Sequence, residues 1–251
     1  FVFDGLEEDR HRGAQVNNTA GMRDDVDGIH IMTTNAHNSA AVWIDIPTTA
    51  FDMRYNTEDP LFENEVGIDQ ERIYRMVNAY DVDQEIQFSL ESRSGVGELV
   101  KISGAEGTLR VFQTSLNHID KIPDRHEILS AHPAPASGNK DAENLRDWLH
   151  RIEHVDDAIA VSFIHDIEHE RYTIWVVSEV SGKGCVLNTP KVPVNIDKLQ
   201  TIISLELLQR SIAPECINGD IKFAFGNDTT LFMGVRVNWC DVAMAIAPRL
   251  D

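Results

Sequence analysis

The residues of this chain that could do metal chemistry are a group of histidines in its second half. His150 and His154 lie four residues apart, and the pair His165-Asp166 is followed closely by His169. On a helix, a four-residue spacing places two imidazoles on one face, where they could bind one ion. The sequence places no third ligand beside them. A metal-dependent phosphohydrolase is therefore one hypothesis, and solvent-exposed surface histidines are the plainer alternative.

Other signatures of enzymes are missing from the sequence. It has no phosphate-binding loop ending in Gly-Lys-Ser/Thr, and no serine in the context of a nucleophile elbow. The cysteines are few, odd in number and far apart, at Cys185, Cys216 and Cys240. They form neither a disulfide framework nor a zinc-binding pattern, so we predict reduced thiols.

Arginines on the predicted helices form a second group, which could contact the phosphates of a nucleic acid. Such side chains bind the backbone without reading its sequence. The same helices carry ten acidic residues, so an ordinary solvated surface is the alternative. Arg72 and Arg75 lie away from the apolar stripe of the second helix, and Arg146 and Arg151 flank the exposed face of the third. The other candidates are Arg210 on the fourth helix and Arg10 and Arg12 on the first.

The overall charge of the chain is strongly negative. Its 251 residues include 41 acidic and 22 basic side chains, which gives a formal net charge of −19. Acid excess with scarce lysine suggests a salt-rich cytoplasm, and the alternative is simply an acidic protein. Taken alone, this charge argues against a nucleic-acid partner, although a local positive surface remains compatible with it. No apolar run approaches the roughly 20 residues that span a bilayer, so we expect no membrane partner.

Hydrophobic periodicity predicts two runs of elements that have the same order. The first run contains helices at residues 6–17 and 69–80, and strands at 28–32, 41–46, 51–55, 85–91, 98–103 and 108–116. The second run contains helices at residues 141–154 and 204–212, and strands at 158–164, 172–180, 184–187, 194–198, 220–225, 231–237 and 242–246, the last followed by a tail. Prolines, glycine and small residues between them predict an extended connector at 121–139.

The spacing of the helices indicates an internal duplication. The predicted helices start at Leu6 and Asp69 in the first run, and at Asp141 and Ser204 in the second. The step from Leu6 to Asp141 equals the step from Asp69 to Ser204. One repeated unit of that length accounts for both offsets.

Short motifs follow one another along the chain in the order and spacing of a known family. Asp-Gly-Ile starts a strand at 27–29, Ile-Pro-Asp opens the connector at 122–124, and Ser-Leu-Glu-Leu-Leu begins the last helix at 204–208. The tail Ala-Pro-Arg-Leu occupies 247–250. From about residue 26 onward, the chain resembles the PCNA-type DNA sliding clamps.

The resemblance implies an α+β fold of two similar clamp-type domains, with outer antiparallel β-sheets and four inner helices per chain. It implies domains at 1–120 and 140–251, joined by the connector at 121–139. In the family, three chains usually close head to tail into a ring around duplex DNA, with the helices inside. The ring has no catalytic site, so we expect no enzymatic activity, no cofactor and no metal. The arginines above would then face the DNA, independently of its sequence.

The family binds partner enzymes through a hydrophobic peptide, the PIP box, which enters a pocket under the connector. DNA polymerase, flap endonuclease, ligase and the clamp loader are the expected partners. Thr230 lies near the position of a family proline and Ala245 near that of an aromatic residue, which predicts a shallower or differently shaped pocket. Ordinary packing residues are the alternative. The positions that match the pocket are Ile122, Ile128, Thr230, Ala245, Ala247, Pro248 and Leu250.

Ring closure in the family pairs two unlike sheet edges, which we predict at residues 108–115 and 182–187. We expect a homotrimer favoured by high salt, located with the DNA in the cytoplasm of a prokaryotic or virus-infected cell. A divergent monomeric or repair-specialised clamp paralogue is the nearest alternative. The predicted interface residues are Thr108, Arg110, Phe112, Thr114, Lys183, Cys185 and Leu187.

Overall fold

A computed structural model describes most of the chain after residue 18. The described residues are 19–25, 27–35, 39–50, 66–80, 84–93, 97–105, 107–112, 125–132, 134–156, 159–166, 173–187, 198–214, 217–237 and 240–249. The chain divides into two compact units. The first unit comprises residues 1–36 and 43–122, and the second comprises residues 37–42 and 123–251.

The first unit contains two antiparallel sheets and one helix in its described part. Its elements are β1 (Thr19–Asp25), β2 (Gly28–Thr34), most of β3 (Ala40–Pro47), a 3-10 turn (Thr48–Ala50), β4 (Val66–Asp69), α1 (Gln70–Val77), β5 (Gln87–Arg93), β6 (Gly97–Gly104) and β7 (Gly107–Phe112). The strands β4-β1-β2-β3 follow one another in one sheet, and the other sheet has the order β5-β6-β7.

The second unit repeats this arrangement. Its elements are α2 (Arg125–Ala131), β8 (Ala136–Asp141), α3 (Ala142–Asp156), β9 (Ala160–Asp166), β10 (Thr173–Ser178), β11 (Gly184–Leu187), β12 (Lys198–Ser204), α4 (Leu205–Ile212), β13 (Asp220–Phe225), β14 (Leu231–Val237) and β15 (Cys240–Ile246). One sheet has the order β12-β9-β10-β11, and the strands β8-β13-β14-β15 follow one another in the other.

The strand orders establish the duplication that the sequence predicted. The order β4-β1-β2-β3 in the first unit matches the order β12-β9-β10-β11 in the second. A helix follows directly after β4 and after β12 in the chain. The number of residues from the start of α1 to the start of α4 equals the predicted length of the repeat. The number from the start of β2 to the start of its counterpart β10 is larger. The first unit therefore has a longer segment between its second strand and its helix. The fold predicted from the sequence, two similar α+β clamp-type units, is confirmed.

Each unit is built around its own apolar core. In the first unit, Ile29, Ile68 and Ile102 belong to one buried cluster against which Met76 and Val77 of α1 pack. In the second unit, the Phe163 ring lies 5.5 Å from the Phe223 ring centroid and is buried with it. Helices α3 and α4 bury every third or fourth side chain, which is the periodicity that the sequence displays. Those residues are Leu145, Leu149, Ile152, Leu205, Leu208 and Ile212.

Side-chain caps fix the beginning of three helices. Asp69 accepts a hydrogen bond from the backbone N–H of Arg72 at 3.1 Å, and Ser204 accepts one from Leu207 at 3.4 Å. Asp141 accepts one from the backbone N–H of Asn144 at 3.0 Å. Each cap satisfies one of the amide groups that a helix leaves unpaired at its amino end, so the predicted helix starts are confirmed.

Several predicted elements are wrong in type or position. The connector was expected to be extended, but it contains helix α2, and its last residues form β8, which pairs with β13. Of the strand predicted at 194–198, only Lys198 lies among the described residues, and there it begins β12, which runs to Ser204. Strands β1 and β4 were not predicted as strands, and β15 begins at Cys240, before the predicted start at Val242.

Other predictions concern residues that the structure does not describe. The helix at 6–17 and the strand at 51–55 lie outside the described residues. The four described helices are therefore three of the predicted inner helices together with α2 of the connector. Within the described part of the chain, no helix has the length and apolar character needed to cross a membrane.

Candidate functional site

Helix α1 carries two arginines on its solvent side. Ile73 is buried beneath the helix, and Arg72 and Arg75 are exposed. Arg72 Nε lies 3.4 Å from Asp69 Oδ2, and Arg75 is paired with Glu71 one helical turn earlier. Such exposed ion pairs are worth little in stability, because solvent screens them. The guanidinium groups therefore keep their capacity to exchange one anionic partner for another.

Helix α4 carries the equivalent pair in the second unit. Arg210 Nη2 lies 2.8 Å from Glu206 Oε1, and here the arginine is half-buried and the glutamate exposed. Gln209 on the same helix donates from Nε2 to Glu153 Oε2 of α3 at 3.1 Å. Helices α3 and α4 therefore lie side by side and share one surface.

Helix α3 contributes two arginines with different environments. Arg151 is exposed, and no ion pair joins it to any residue within the described ranges. Arg146 is half-buried, and its Nη1 lies 2.9, 3.3 and 2.8 Å from the carbonyl oxygens of Ile212, Pro214 and Ile217. Helix α4 leaves such carbonyls without intrahelical partners at its end, so Arg146 has a structural role there. Its predicted contact with DNA stays a prediction. Two further predicted arginines, Arg10 and Arg12, lie outside the described residues.

Backbone hydrogen bonds hold the carboxyl-terminal tail, which carries some of the predicted pocket positions. The Ala247 N–H donates to the Ser39 carbonyl, and the Arg249 N–H donates to the Ile202 carbonyl, both at 2.8 Å. Thr230, directly before β14, and Ala245, within β15, are both buried.

The remaining pocket positions lie on the connector and at the chain end. Ile128 is half-buried on α2, where its neighbour Leu129 is exposed, and Pro248 is half-buried in the tail. Ile122 and Leu250 lie outside the described residues. The role of these positions as a binding pocket stays a prediction.

Strands β7 and β11, which were predicted to pair between subunits, are the outer strands of their described sheets. Arg110 on β7 forms an ion pair with Glu91 of β5, with 2.7 Å between Arg110 Nε and Glu91 Oε2. Thr108 is exposed. On β11, the Val186 carbonyl accepts a hydrogen bond from Lys140 Nζ of β8 at 3.1 Å. Sequence reasoning missed Lys140, because its partner Val186 lies 46 residues further along the chain and only the fold brings them together.

Cys185, another of the predicted interface residues, lies half-buried on β11 beside Lys140. Burial raises the pKa of the Cys185 thiol from its ordinary value of 9.0 to about 11, against a smaller lowering by the charge of Lys140. Lys183 is exposed and Leu187 is buried. The side chains of Phe112 and Thr114 lie outside the described part, and the interface itself stays a prediction.

The histidine group gives no metal centre in the described part of the chain. His150 is exposed on α3, with its Nδ1 3.9 Å from Glu153 Oε2. Among the described residues, no three His, Cys, Asp or Glu side chains converge on a point that could hold an ion. The backbone places His165-Asp166 at the end of β9 as predicted. Their side chains and those of His154 and His169 lie outside what is described.

Comparison with known proteins identifies the fold. No family model matches the sequence, and no curated protein matches it. Solved structures match almost the whole chain. PCNA from A. fulgidus, solved with the C-terminal region of FEN-1, is 17% identical, with 94% of this chain and 91% of that chain covered and a TM-score of 0.70.

Two further solved structures agree. The PCNA2–PCNA3 complex from Sulfolobus tokodaii is 16% identical over 99% of this chain and 94% of the matched chain, with a TM-score of 0.69. PCNA from Thermococcus kodakaraensis is 16% identical over 94% of this chain and 92% of that chain, with a TM-score of 0.67. This chain therefore has the fold of the PCNA-type clamps, and the resemblance inferred from its motifs is confirmed at the level of fold.

Proposed function

We propose that this protein is a DNA sliding clamp, a non-catalytic ring that encircles duplex DNA and tethers replication and repair enzymes. The observation that carries the proposal is the likeness of nearly the whole chain, both repeated units included, to PCNA structures. Helices α1 and α3 carry exposed arginines, which supports contact with the phosphates of DNA. The proposed domains are 1–120 and 140–251, with the connector at 121–139.

The proposed assembly is a homotrimer closed by the edges β7 and β11. One of the solved structures is a complex between two PCNA chains, which supports association of this fold with itself. An unpaired sheet edge is normally covered or blocked, and pairing unlike edges of identical chains closes a ring. The contact of Lys140 with Val186 favours the alternative of a monomeric paralogue, because it occupies a carbonyl at one of these edges.

The proposed partners are DNA polymerase, flap endonuclease, ligase and the clamp loader, bound through PIP-like peptides. The A. fulgidus PCNA was solved with the C-terminal region of FEN-1, which supports a peptide-binding role for this fold. The peptide would bind beside the tail, where Ala247 and Pro248 are half-buried, and Leu129, which α2 exposes, would supply further apolar surface. An apolar anchor in such a site supplies most of the affinity of peptide recognition. The proposed setting is the cytoplasm of a prokaryotic or virus-infected cell.

A topological experiment tests encirclement. The protein is mixed with a linear duplex tethered at one end, and the free end is then blocked with streptavidin before a wash in molar salt. A ring threaded on the DNA is retained on blocked duplexes and lost from open ones, because salt weakens phosphate contacts but does not open a closed ring. Equal loss from blocked and open duplexes would contradict the proposal.

A second experiment tests the peptide site. Binding of the C-terminal peptide of FEN-1 is measured for the intact protein, for a chain ending at Ile246 and for Ile128→Glu. We expect both changes to abolish binding. The truncation also removes the backbone hydrogen bonds of Ala247 and Arg249, so thermal unfolding must be measured beside it. Ile128→Glu keeps those bonds, and unchanged binding by this variant would place the peptide elsewhere.

The histidines separate a clamp from a hydrolase. Replacing His150, His154 and His165 with Gln should leave retention on end-blocked DNA unchanged. Loss of a metal-dependent phosphohydrolase activity in this variant would instead support the hydrolase hypothesis.

A further inference from the structure

The two repeats place the same ion pair on equivalent helices. Glu71 and Arg75 of α1 occupy the same positions in their helix as Glu206 and Arg210 in α4. In both helices the acid lies in the first turn and the arginine in the last, which is the favourable orientation for a four-residue pair and for the helix dipole. The two pairs thus share their sequence spacing, their helix position and their partner chemistry.

The burial of the two pairs is reversed. On α1, the Arg75 side chain is 69% exposed and that of Glu71 is 16% exposed. On α4, the Arg210 side chain is 22% exposed and that of Glu206 is 53% exposed. The first helix therefore presents its guanidinium to solvent, and the second presents its carboxylate.

Neighbouring side chains extend this difference. Arg72, which is 63% exposed, adds a second cation to the solvent side of α1. Beside α4, Glu153 of α3 is 53% exposed and accepts a hydrogen bond from Gln209. A phosphate that approaches α1 meets two guanidinium groups, and one that approaches α4 meets carboxylates first. At close range, like charges repel by about 1 to 4 kcal/mol, depending on the local dielectric.

We propose that, of the two equivalent helices, α1 makes phosphate contacts and α4 does not, because Glu206 pairs with the half-buried Arg210 and presents a carboxylate to solvent. This inference rests on the proposed DNA-binding function. It assigns different contributions to DNA binding to the equivalent helices of the two repeats. Arg72 and Arg75 are then the contacting residues of the two helices. Because of Glu206, the equivalent helix α4 does not bind the phosphates of the duplex as it slides past.

The test measures association of the full-length protein with an open-ended fluorescent duplex over a series of salt concentrations. The slope of log affinity against log salt changes by about 0.9 for each phosphate that the protein neutralises. Arg75→Gln should flatten the slope by about one such step, and Arg210→Gln should leave it unchanged. Glu206→Gln should steepen it by a similar step, because it removes the exposed negative charge that lies beside Arg210.

Matched variants guard against effects on folding. Both pairs support helices of only eight residues, so thermal unfolding is measured for each variant. Arg75→Lys keeps the positive charge and should keep the slope, which a purely structural role of the Glu71 pair would not require. Equal flattening by Arg75→Gln and Arg210→Gln, or an unchanged slope in Glu206→Gln, would overturn this inference alone. Failure of the wild-type protein to associate with DNA at any salt concentration would overturn the proposed function together with it.

Discussion

Arg146 on α3 donates from Nη1 to the carbonyl oxygen of Ile212, the last residue of α4, across 2.9 Å. The same nitrogen lies within hydrogen-bond distance of the carbonyls of Pro214 and Ile217. One charged group thus joins the end of one helix to the chain that leads into β13. The sequence suggested a DNA contact for this arginine, because its spacing keeps it off the apolar stripe.

Replacing Arg146 with Lys should destabilise the protein. A lysine keeps the charge but lacks the planar fork that serves several acceptors at once, so carbonyl oxygens lose partners. Hydrogen bonds from charged groups contribute about 1.5 to 3 kcal/mol each, and we expect a loss of unfolding free energy of about 2 kcal/mol. Urea denaturation measures it. Arg151→Lys on the same helix is the control and should change stability little, and equal effects of both changes would show that Arg146 does not fasten α4.

Gly28 should not tolerate a methyl group. Its backbone has φ of 151°, and a Cβ built there would lie 2.0 Å from the carbonyl oxygen of Ile46. A backbone atom cannot move aside as a side chain can, so Gly28→Ala should cost about 3 kcal/mol of unfolding free energy. Gly234→Ala is the matched control, because a Cβ at Gly234 meets nothing within 4 Å. Thermal or urea unfolding compares the two variants, and similar midpoints would refute the close approach.

The Cys185 thiol should react slowly with alkylating reagents at neutral pH. Its pKa of about 11 lies above the ordinary 9.0, and the thiolate is the reactive form. Two pH units correspond to about 100-fold less thiolate at neutral pH. Mass spectrometry of the peptide that contains Cys185, after brief iodoacetamide treatment, should show slower labelling in the folded than in the unfolded protein. Equal rates would show that the thiol is not shielded.

The same thiol links stability to pH. Because the folded pKa is the higher one, its stabilising contribution is complete below about pH 9 and is lost as the pH rises to about 11. We expect urea midpoints of the wild-type protein to fall more steeply over this interval than those of Cys185→Ser. Parallel pH profiles would contradict the raised pKa.

Assembly should depend on salt and on Lys140. Each chain carries a formal charge of −19, so salt should favour association by screening repulsion. We expect sedimentation to show a trimer in molar salt and a smaller species in dilute buffer. Lys140→Met frees the Val186 carbonyl for a partner strand and should shift assembly to lower protein concentrations than Lys222→Met, which removes the same charge from an exposed position on β13. A monomer under all conditions would favour the paralogue alternative.

The elements that local signals define were predicted well from the sequence. Strands β13 and β14 have the predicted boundaries, and α4 begins after the predicted cap Ser204. Alternating apolar residues, a glycine-containing turn and a capping side chain each act within a few residues of chain. Such signals need no knowledge of distant partners.

The elements that distant pairing creates were missed. Strand β8 has the sequence Ala-Ser-Gly-Asn-Lys-Asp, which favours a turn, yet it pairs with β13, which follows only after helices α3 and α4 in the chain. Strand β1 lacks strict alternation and is formed by its pairing with β2 and β4. Helix α2 is short and lies between prolines, so its sequence was interpreted as extended. Tertiary pairing overrides weak local preferences in such segments.

The positions of Arg75 and Arg210 along their helices follow the sequence prediction, but their burial was not predicted. The sequence placed Arg75 and Arg210 on equivalent helices, and their structural equivalence is now clear. It could not tell which member of each pair faces solvent, because that depends on packing beside the helix. It also could not assign Arg146 to carbonyl oxygens that lie far from it in the sequence.

The reversed pairs on α1 and α4 have a consequence for how a duplicated protein can diverge. The helix starts, the caps and the four-residue spacing are tied to the backbone, so both copies keep them for the same reason. Which partner of a pair is covered depends only on neighbouring side chains, and it can change while the backbone stays the same. A tandem duplication of this kind allows one copy to contact a ligand and the other to present a surface that does not bind it. Neither a change of fold nor a new residue type is needed.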